Sequence, residues 1–184
     1  IADVLFGNYN PAGKLTMTFP RVVGQIPIYY NHKRTGRPVN DSIVTTSRYL
    51  DVPNDPLFPF GFGLSYTTFD YSKISLNKKE LTDDEQLIAS VTVTNTGRYT
   101  GEEVVQLYIH DPAASVSRSV KELKGFRKIE LAPGESRRVD FEITTEELKF
   151  YNSDMGYNWE PGEFIIYIGT NSEDVQSAIV SWLK

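Results

Sequence analysis

The side chains able to do acid–base or metal chemistry in this chain are not spaced as a catalytic pair or a metal site. Asp51 and Asp55 flank a proline-containing loop, and Asp83-Asp84-Glu85 form a second acidic cluster. Two carboxyl groups facing each other are what glycosidic bond cleavage requires, one as acid and one as nucleophile or base. Neither spacing sets two carboxylates across a cleft, so these groups read as solvated loop charge. The histidines are His32 and His110. A metal centre takes three or four ligands, and no His, Asp or Glu spacing supplies them. His110 follows a strand-like run ending at Ile109 and is expected to hydrogen-bond to backbone. The chain has no cysteine, which excludes thiol catalysis, disulfides and Cys-type zinc sites. Gly61-Phe62-Gly63 lacks the third glycine and the strand-to-helix context of a phosphate loop. It reads as a tight turn inside a buried crossing segment, 59–66. No cofactor is expected.

Aromatic and guanidinium groups are the remaining means of binding. Tyr29, Tyr30, Tyr49, Tyr99, Tyr157 and Trp159 carry rings able to stack on a pyranose, although in a β-sandwich most such rings serve packing. Trp159, beside the Pro161-Gly162 turn, is the one expected to be partly exposed. Arg34, Arg37 and Arg48 sit in a polar loop, where a guanidinium fork can lock neighbouring loops together. Arg48, Tyr49 and Trp159 are the candidates for a sugar or active-site-rim contact. Asn40-Asp41-Ser42 has the pattern of a glycosylation sequon, idle in a bacterial source.

The elements that must position these groups divide the chain in two. Residues 1–68 hold seven of the ten prolines. Proline fixes φ and removes a backbone donor, so long helices and central strands are excluded there. Ala2 to Phe6 reads as the end of a helix closed by Gly7, and Leu15 to Phe19 and Gln25 to Tyr30 read as short strands. So little patterned apolar sequence cannot make a core of its own; the segment should pack on something else. From Phe69 the texture changes. Strand-like runs recur at 69–76, 87–94, 103–110, 121–131, 137–144, 164–169 and 178–183. Leu87, Ala89, Val91 and Val93 alternate with Ile88, Ser90, Thr92 and Thr94. Asn95-Thr96-Gly97 and Ala132-Pro133-Gly134-Glu135 supply turns, the latter of type II. A short helical turn is expected at Thr145 to Leu148, with Thr145 as N-cap. The pattern predicts an all-β fold: an immunoglobulin- or fibronectin III-like antiparallel β-sandwich over 69–184, with an extended, proline-rich N-terminal segment over 1–68.

Bulk properties narrow the function classes. A net charge of −5 leaves no basic surplus for phosphates, which argues against nucleic acid. No run of 18 apolar residues crosses a membrane. The chain starts at Ile1 without a signal peptide and reads as a piece of a longer protein.

Several blocks together resemble a known family. Asp3-Val4-Leu5-Phe6-Gly7-Asn8-Tyr9-Asn10-Pro11-Ala12-Gly13-Lys14-Leu15, followed by Thr18-Phe19-Pro20, resembles the end of the α/β sandwich domain of family 3 glycoside hydrolases. The run Val23 to His32, then Thr35-Gly36-Arg37-Pro38, is similar to the next block in bacterial periplasmic β-glucosidases of that family. Leu57 to Thr67 resembles the link into the third domain. Val93 to Gly97, Gly101 to Tyr108, Leu123 to Phe126 and Pro133-Gly134-Glu135 resemble its fibronectin type III-like domain. The resemblance implies a parent enzyme that removes terminal β-D-glucosyl residues with retention. It also implies that the nucleophile lies on a TIM barrel and the acid/base upstream in the α/β sandwich domain. No position here matches either motif, so no catalytic residue is carried over and the chain alone is expected to be inactive. The expected partners are the parent's TIM-barrel and α/β sandwich domains, with oligosaccharide and a homodimer left open. The resemblance implies a periplasmic or secreted location. The leading reading is a non-catalytic scaffold; the alternatives are a carbohydrate-binding module and, on fold analogy alone, an adhesion domain.

Overall fold

A computed structural model of the chain describes residues 1–184 except Asp41, Val44 and Asp84. The acidic cluster and the sequon therefore each include one residue outside the described ones.

Two sheets face each other across one core. In the smaller, β4 (Leu87–Asn95) is central. It pairs antiparallel with β1 (Phe69–Tyr71) and β2 (Ser75–Leu76) on one edge and with β7 (Ser136–Ile143) on the other. The larger sheet runs β3 (Glu80–Leu81), β11 (Val175–Trp182), β10 (Gly162–Gly169), β5 (Gly101–His110), β6 (Glu122–Leu131). Its pairs are antiparallel except β3 with β11, which are parallel. A separate hairpin joins β8 (Phe150–Tyr151) to β9 (Tyr157–Asn158). The run expected over 69–76 is thus two short strands, because the chain leaves the edge of β4 between Tyr71 and Ser75.

Alternation explains the core. Leu87, Ala89, Val91 and Val93 point inward from β4, facing Val105, Leu107 and Ile109 from β5. Val139, Phe141 and Ile143 from β7, with Phe164, Ile166 and Ile168 from β10, complete the layers. Burying a side chain such as Phe164 or Ile166 contributes about 2 kcal/mol. The β6-to-β7 connection crosses between sheets through the expected type II turn. Gly134 has φ +76° and Glu135 N donates to Ala132 O at 2.9 Å. The helical turn α2 (Thr145–Leu148) is capped one residue earlier than expected: Thr144 is the N-cap, and its hydroxyl and backbone N–H both donate to the Glu147 carboxylate.

The N-terminal segment departs from expectation in part. A one-turn helix, α1 (Ala2–Leu5), lies where a helix end was read, and Gly7 follows with φ +77°. The two expected strands do not form. Residues 15–19 make a few backbone bonds to 57–62, such as Phe19 N to Phe58 O at 2.8 Å, with one isolated bridge. Within 25–30 the backbone instead leaves a 3-10 turn (Val23–Gln25). Apolar runs alone suggested strands, but proline at 20 and 27 denies them a continuous ladder. Of the buried hydrophobic core, this segment supplies only Ala12 among the described residues.

Candidate functional site

The segment lies on the sandwich along a seam at β5. On β5 the core-facing row Val105, Leu107 and Ile109 is buried, and so are Gln106 and Tyr108 on the outer face. An outer-face residue of an uncovered sheet would be wet; here the N-terminal segment covers it. Tyr30 stacks on Phe60 with ring centroids 4.3 Å apart and meets Tyr108 edge-on at 5.7 Å. Gln106 Nε2 donates to Gly61 O at 3.2 Å and Thr170 O at 2.6 Å, and its Oε1 accepts from Tyr108 OH at 2.5 Å. Burial pushes the Tyr108 phenol upward from its ordinary range.

At one end of the seam a buried polar cluster closes the contact. Lys14 Nζ lies 3.0 Å from Glu103 Oε1 and donates to Thr170 Oγ1 at 2.8 Å. Thr170 Oγ1 in turn donates to Glu103 Oε1 at 2.7 Å, and Tyr71 OH donates to the same oxygen at 3.0 Å. The Lys14 and Glu103 side chains are only 14% and 6% exposed. Burial, followed by the Glu103 charge, raises the Tyr71 phenol far above its ordinary range. The cluster borders a cleft of about 400 Å³ that Pro11, Gly63, Asp70 and Asp174 also line. An ammonium from the segment and two hydroxyls from the sandwich converge on one carboxylate oxygen, which joins the two parts of the chain at this point.

The residues singled out by type are not brought together here. Asp51 is exposed, and Asp55 accepts from Arg21 at 2.5 Å, which holds its carboxyl below the usual range. Glu85 accepts from Lys78 and from Thr82 N, with its carboxyl also held low. His32 is exposed, and His110 meets Ser119 O at 2.9 Å as a strand-end residue should. Arg34 and Arg37 are exposed, Arg48 is half-buried, and Tyr49 is 40% exposed. The expected exposure of Trp159 is wrong: it is 7% exposed and packs in the sandwich core, so its ring face is not presented to a sugar. Its neighbouring turn is at the surface, but the indole points inward. The 59–66 segment is only partly buried: Gly61 is covered, whereas Leu64 and Tyr66 are 72% and 47% exposed. None of Arg48, Tyr49 and Trp159 lines the cleft beside Lys14.

Exposed apolar side chains concentrate in the segment. Among the described residues, 18 large hydrophobics stand exposed in 1–68 against 7 in 69–184. Leu50, Val23 and Phe6 are 89%, 83% and 82% exposed. Two family models match the two parts: the glycosyl hydrolase family 3 C-terminal domain over residues 1–66 and the fibronectin type III-like domain over residues 103–172. A periplasmic beta-glucosidase of Salmonella typhimurium is 54% identical over 96% of this chain, and a putative beta-xylosidase of Formosa agariphila 47% identical over 94%. A crystal structure of beta-glucosidase from Listeria innocua in complex with glucose superposes with a TM-score of 0.94 at 47% identity, covering all of this chain.

The chain belongs to glycoside hydrolase family 3.

It corresponds to the C-terminal part of family 3 β-glucosidases. It spans 23% of the Salmonella relative, 22% of the Formosa one and 26% of the Listeria structure. The Lys14–Glu103 cluster and the Tyr30–Phe60–Tyr108 stack were not singled out from sequence as a site. One signal was present: Glu103 falls in the core-facing row of β5 with Val105, Leu107 and Ile109, where a charge demands a buried partner.

Proposed function

We propose that this chain is the non-catalytic C-terminal module of a retaining β-glucosidase that acts on terminal β-D-glucosyl residues, and that it holds the catalytic domains in place. The observation that carries the reading is the imbalance in the extended segment. It contributes almost nothing to the buried core yet exposes most of the large hydrophobics. Surface of that kind marks a contact with another body. The sandwich supplies the rigid half, and the Lys14 cluster ties the two halves in one register. The segment thus presents an apolar face toward the parent's TIM-barrel and α/β sandwich domains, with the sandwich as its backing. The relatives named as β-glucosidases support the activity of the parent, and the periplasmic name of one supports export.

The test is direct. The purified chain is incubated with an aryl β-glucoside, alone and mixed with the upstream domains as a second polypeptide. The expected result is no turnover alone and turnover in the mixture that exceeds the upstream domains by themselves. Turnover by the chain alone that survives repurification overturns the reading.

A further inference from the structure

We propose that the outer edge of β11 is a strand-pairing site on which a second copy of this chain docks, β11 against β11, antiparallel and centred on Ser177. On one side β11 is paired with β10 along its whole length; on the other, β3 covers only Ser181 and Trp182. Ser181 N and Leu183 N donate to Lys79 O and Leu81 O at that side, both at 2.8 Å. Backbone groups of every second strand residue face the same edge. The N–H and C=O of Ser177 and Ile179 therefore face the β3 side too, but lie beyond the end of β3. Among the described residues neither has a backbone partner there. Such a row of unpaired donors and acceptors is a template for another strand.

The other edges are guarded and this one is not. β6, at the opposite end of the same sheet, carries Lys124, Arg127, Lys128 and Glu130. β7 carries Arg137, Arg138, Asp140 and Glu142, and β1 and β2 are only three and two residues long. Charges and shortness are what keep edges from pairing. β11 reads Val-Gln-Ser-Ala-Ile-Val-Ser-Trp, with no charge and no proline over eight residues. Ile179 stands 58% exposed on it. Beside this edge a cleft of about 610 Å³ opens between the sheets, lined by Ile74, Leu76, Ala178 and Ile179 among others, and no residue of 1–68 lines it.

Self-complementarity selects the second copy. A two-fold axis at Ser177 makes the contact isologous and closed. It sets Ile179 opposite the copy's Val175, and Val175 opposite the copy's Ile179, as two aliphatic cross-strand pairs on the outer face of the joined sheet. On the groove side Ala178 meets the copy's Gln176. A slip of one residue would send Ile179 across from a side chain on the other face, so the pattern fixes the register. The added strand runs out where β3 begins. There the copy's Asp174 comes up to Lys79, both exposed, and the symmetry repeats this acid–base contact at the other end. Main-chain bonds supply most of the attraction, as in other strand additions.

The experiment is sedimentation velocity of the 184-residue chain, paired with cysteine crosslinking. Between about 5 and about 500 µM the chain should pass from monomer to dimer. Ile179→Lys places a charge on the edge and should weaken the dimer at least about tenfold. Leu50→Lys, on the exposed apolar segment, should leave it within about twofold, because that surface is not in the contact. In the proposed register the two Ser177 Cα atoms form a hydrogen-bonded pair about 5.5 Å apart, a span that a disulfide bridges. The chain has no cysteine of its own. With oxidised glutathione, Ser177→Cys should therefore form a linked dimer at least about tenfold faster than Ile179→Cys, whose thiols sit about 14 Å apart across the axis. No dimer over the whole range, a dimer that Leu50→Lys abolishes and Ile179→Lys spares, or equal crosslinking of the two cysteine variants overturns the proposal. The scaffold reading is judged by turnover in the two-polypeptide assay, so a monomeric chain beside restored turnover removes the pairing edge alone.

Discussion

The Lys14 ammonium and the Glu103 carboxylate, 89 residues apart in the chain, meet at 3.0 Å where the extended segment crosses the end of β5. Their side chains are almost fully withdrawn from water, so each charge depends on the other. Removing one partner of such a pair is far more harmful than removing both. Lys14→Met leaves Glu103 with the Tyr71 and Thr170 hydroxyls as its only donors and should cost about 3 kcal/mol. Adding Glu103→Gln should recover most of that loss. Urea unfolding of the two single variants and the double variant measures the coupling. A Lys14→Met midpoint equal to that of the unaltered chain would show that the pair does not hold the segment down.

Gly61 is the second fastening point. Its φ is +79°, and a Cβ added there would sit 2.1 Å from Gln106 Oε1. Gln106 cannot simply swing away, because its amide is bonded to Gly61 O, Thr170 O and Tyr108 OH. Gly61→Ala should therefore lower stability by about 2 kcal/mol, through positive φ and the clash together. In the background of Gln106→Ala the same substitution should cost roughly half as much, since only the backbone term remains. Thermal melts of the four proteins decide it; an equal penalty in both backgrounds would contradict the clash.

What was legible in the sequence follows from the range of the interactions. Runs such as 87–94 and 137–144 alternate over eight residues, so period and turn chemistry revealed the strands with ends off by a residue or two. The sandwich strands pack on each other, and their pattern is local. The segment was harder because its bonds go elsewhere. Leu15–Phe19 looks like a strand by content, but it pairs only piecemeal with 57–62, and Tyr30 packs across the chain on Phe60 and Tyr108. The site suffered most. Arg48 and Tyr49 were singled out by type, yet the groups that hold the seam are Lys14, Glu103, Gln106 and Thr170. They meet through separations of 64 to 156 residues that no spacing rule registers. Trp159 was misjudged because a Pro-Gly turn fixes where the backbone is, not which way the neighbouring ring points.

The loop before β6 is clasped by a carboxylate whose effect is pH-dependent. Glu160 accepts from Ser115 Oγ at 2.5 Å and from Ser115 N at 2.8 Å, and these hydrogen bonds hold its carboxyl below the usual range. A carboxyl whose folded value lies below its unfolded one stabilises the fold above the unfolded value, and that contribution is lost as pH falls through the folded value. Glu160→Gln should therefore be less stable than the unaltered chain at pH 7, with the difference shrinking as the pH drops below about 4.5, the ordinary glutamate range. Urea midpoints of both proteins from pH 7 down to pH 3 test it. A difference that is flat with pH, or that grows on acidification, would show that the Ser115 bonds do not act on the ionised form.

Asn95 offers the sharpest test of the sandwich itself. It is fully buried at the end of β4, where both amide donors and its acceptor are used. Nδ2 donates to Leu131 O at 2.9 Å and Tyr99 O at 2.8 Å, while Oδ1 accepts from Thr67 Oγ1 at 2.5 Å and Gly97 N at 3.0 Å. One side chain thus joins the smaller sheet, the β4-to-β5 turn, the end of β6 and the C-terminal end of the extended segment. Asn95→Ala leaves four hydrogen-bond partners without it, Thr67 and Leu131 among them buried, and should cost about 3 kcal/mol. Asn95→Asp keeps the shape but turns donors into acceptors facing two carbonyl oxygens, and it buries a charge without a cation beside it. It should therefore be the worse of the two at pH 7, despite being the smaller change in volume. As pH falls and the carboxyl takes up a proton, Asn95→Asp should regain stability relative to Asn95→Ala. Urea midpoints at pH 7 and pH 4 separate these outcomes: an aspartate variant more stable than the alanine variant at pH 7 would mean that hydrogen-bond polarity does not govern this junction.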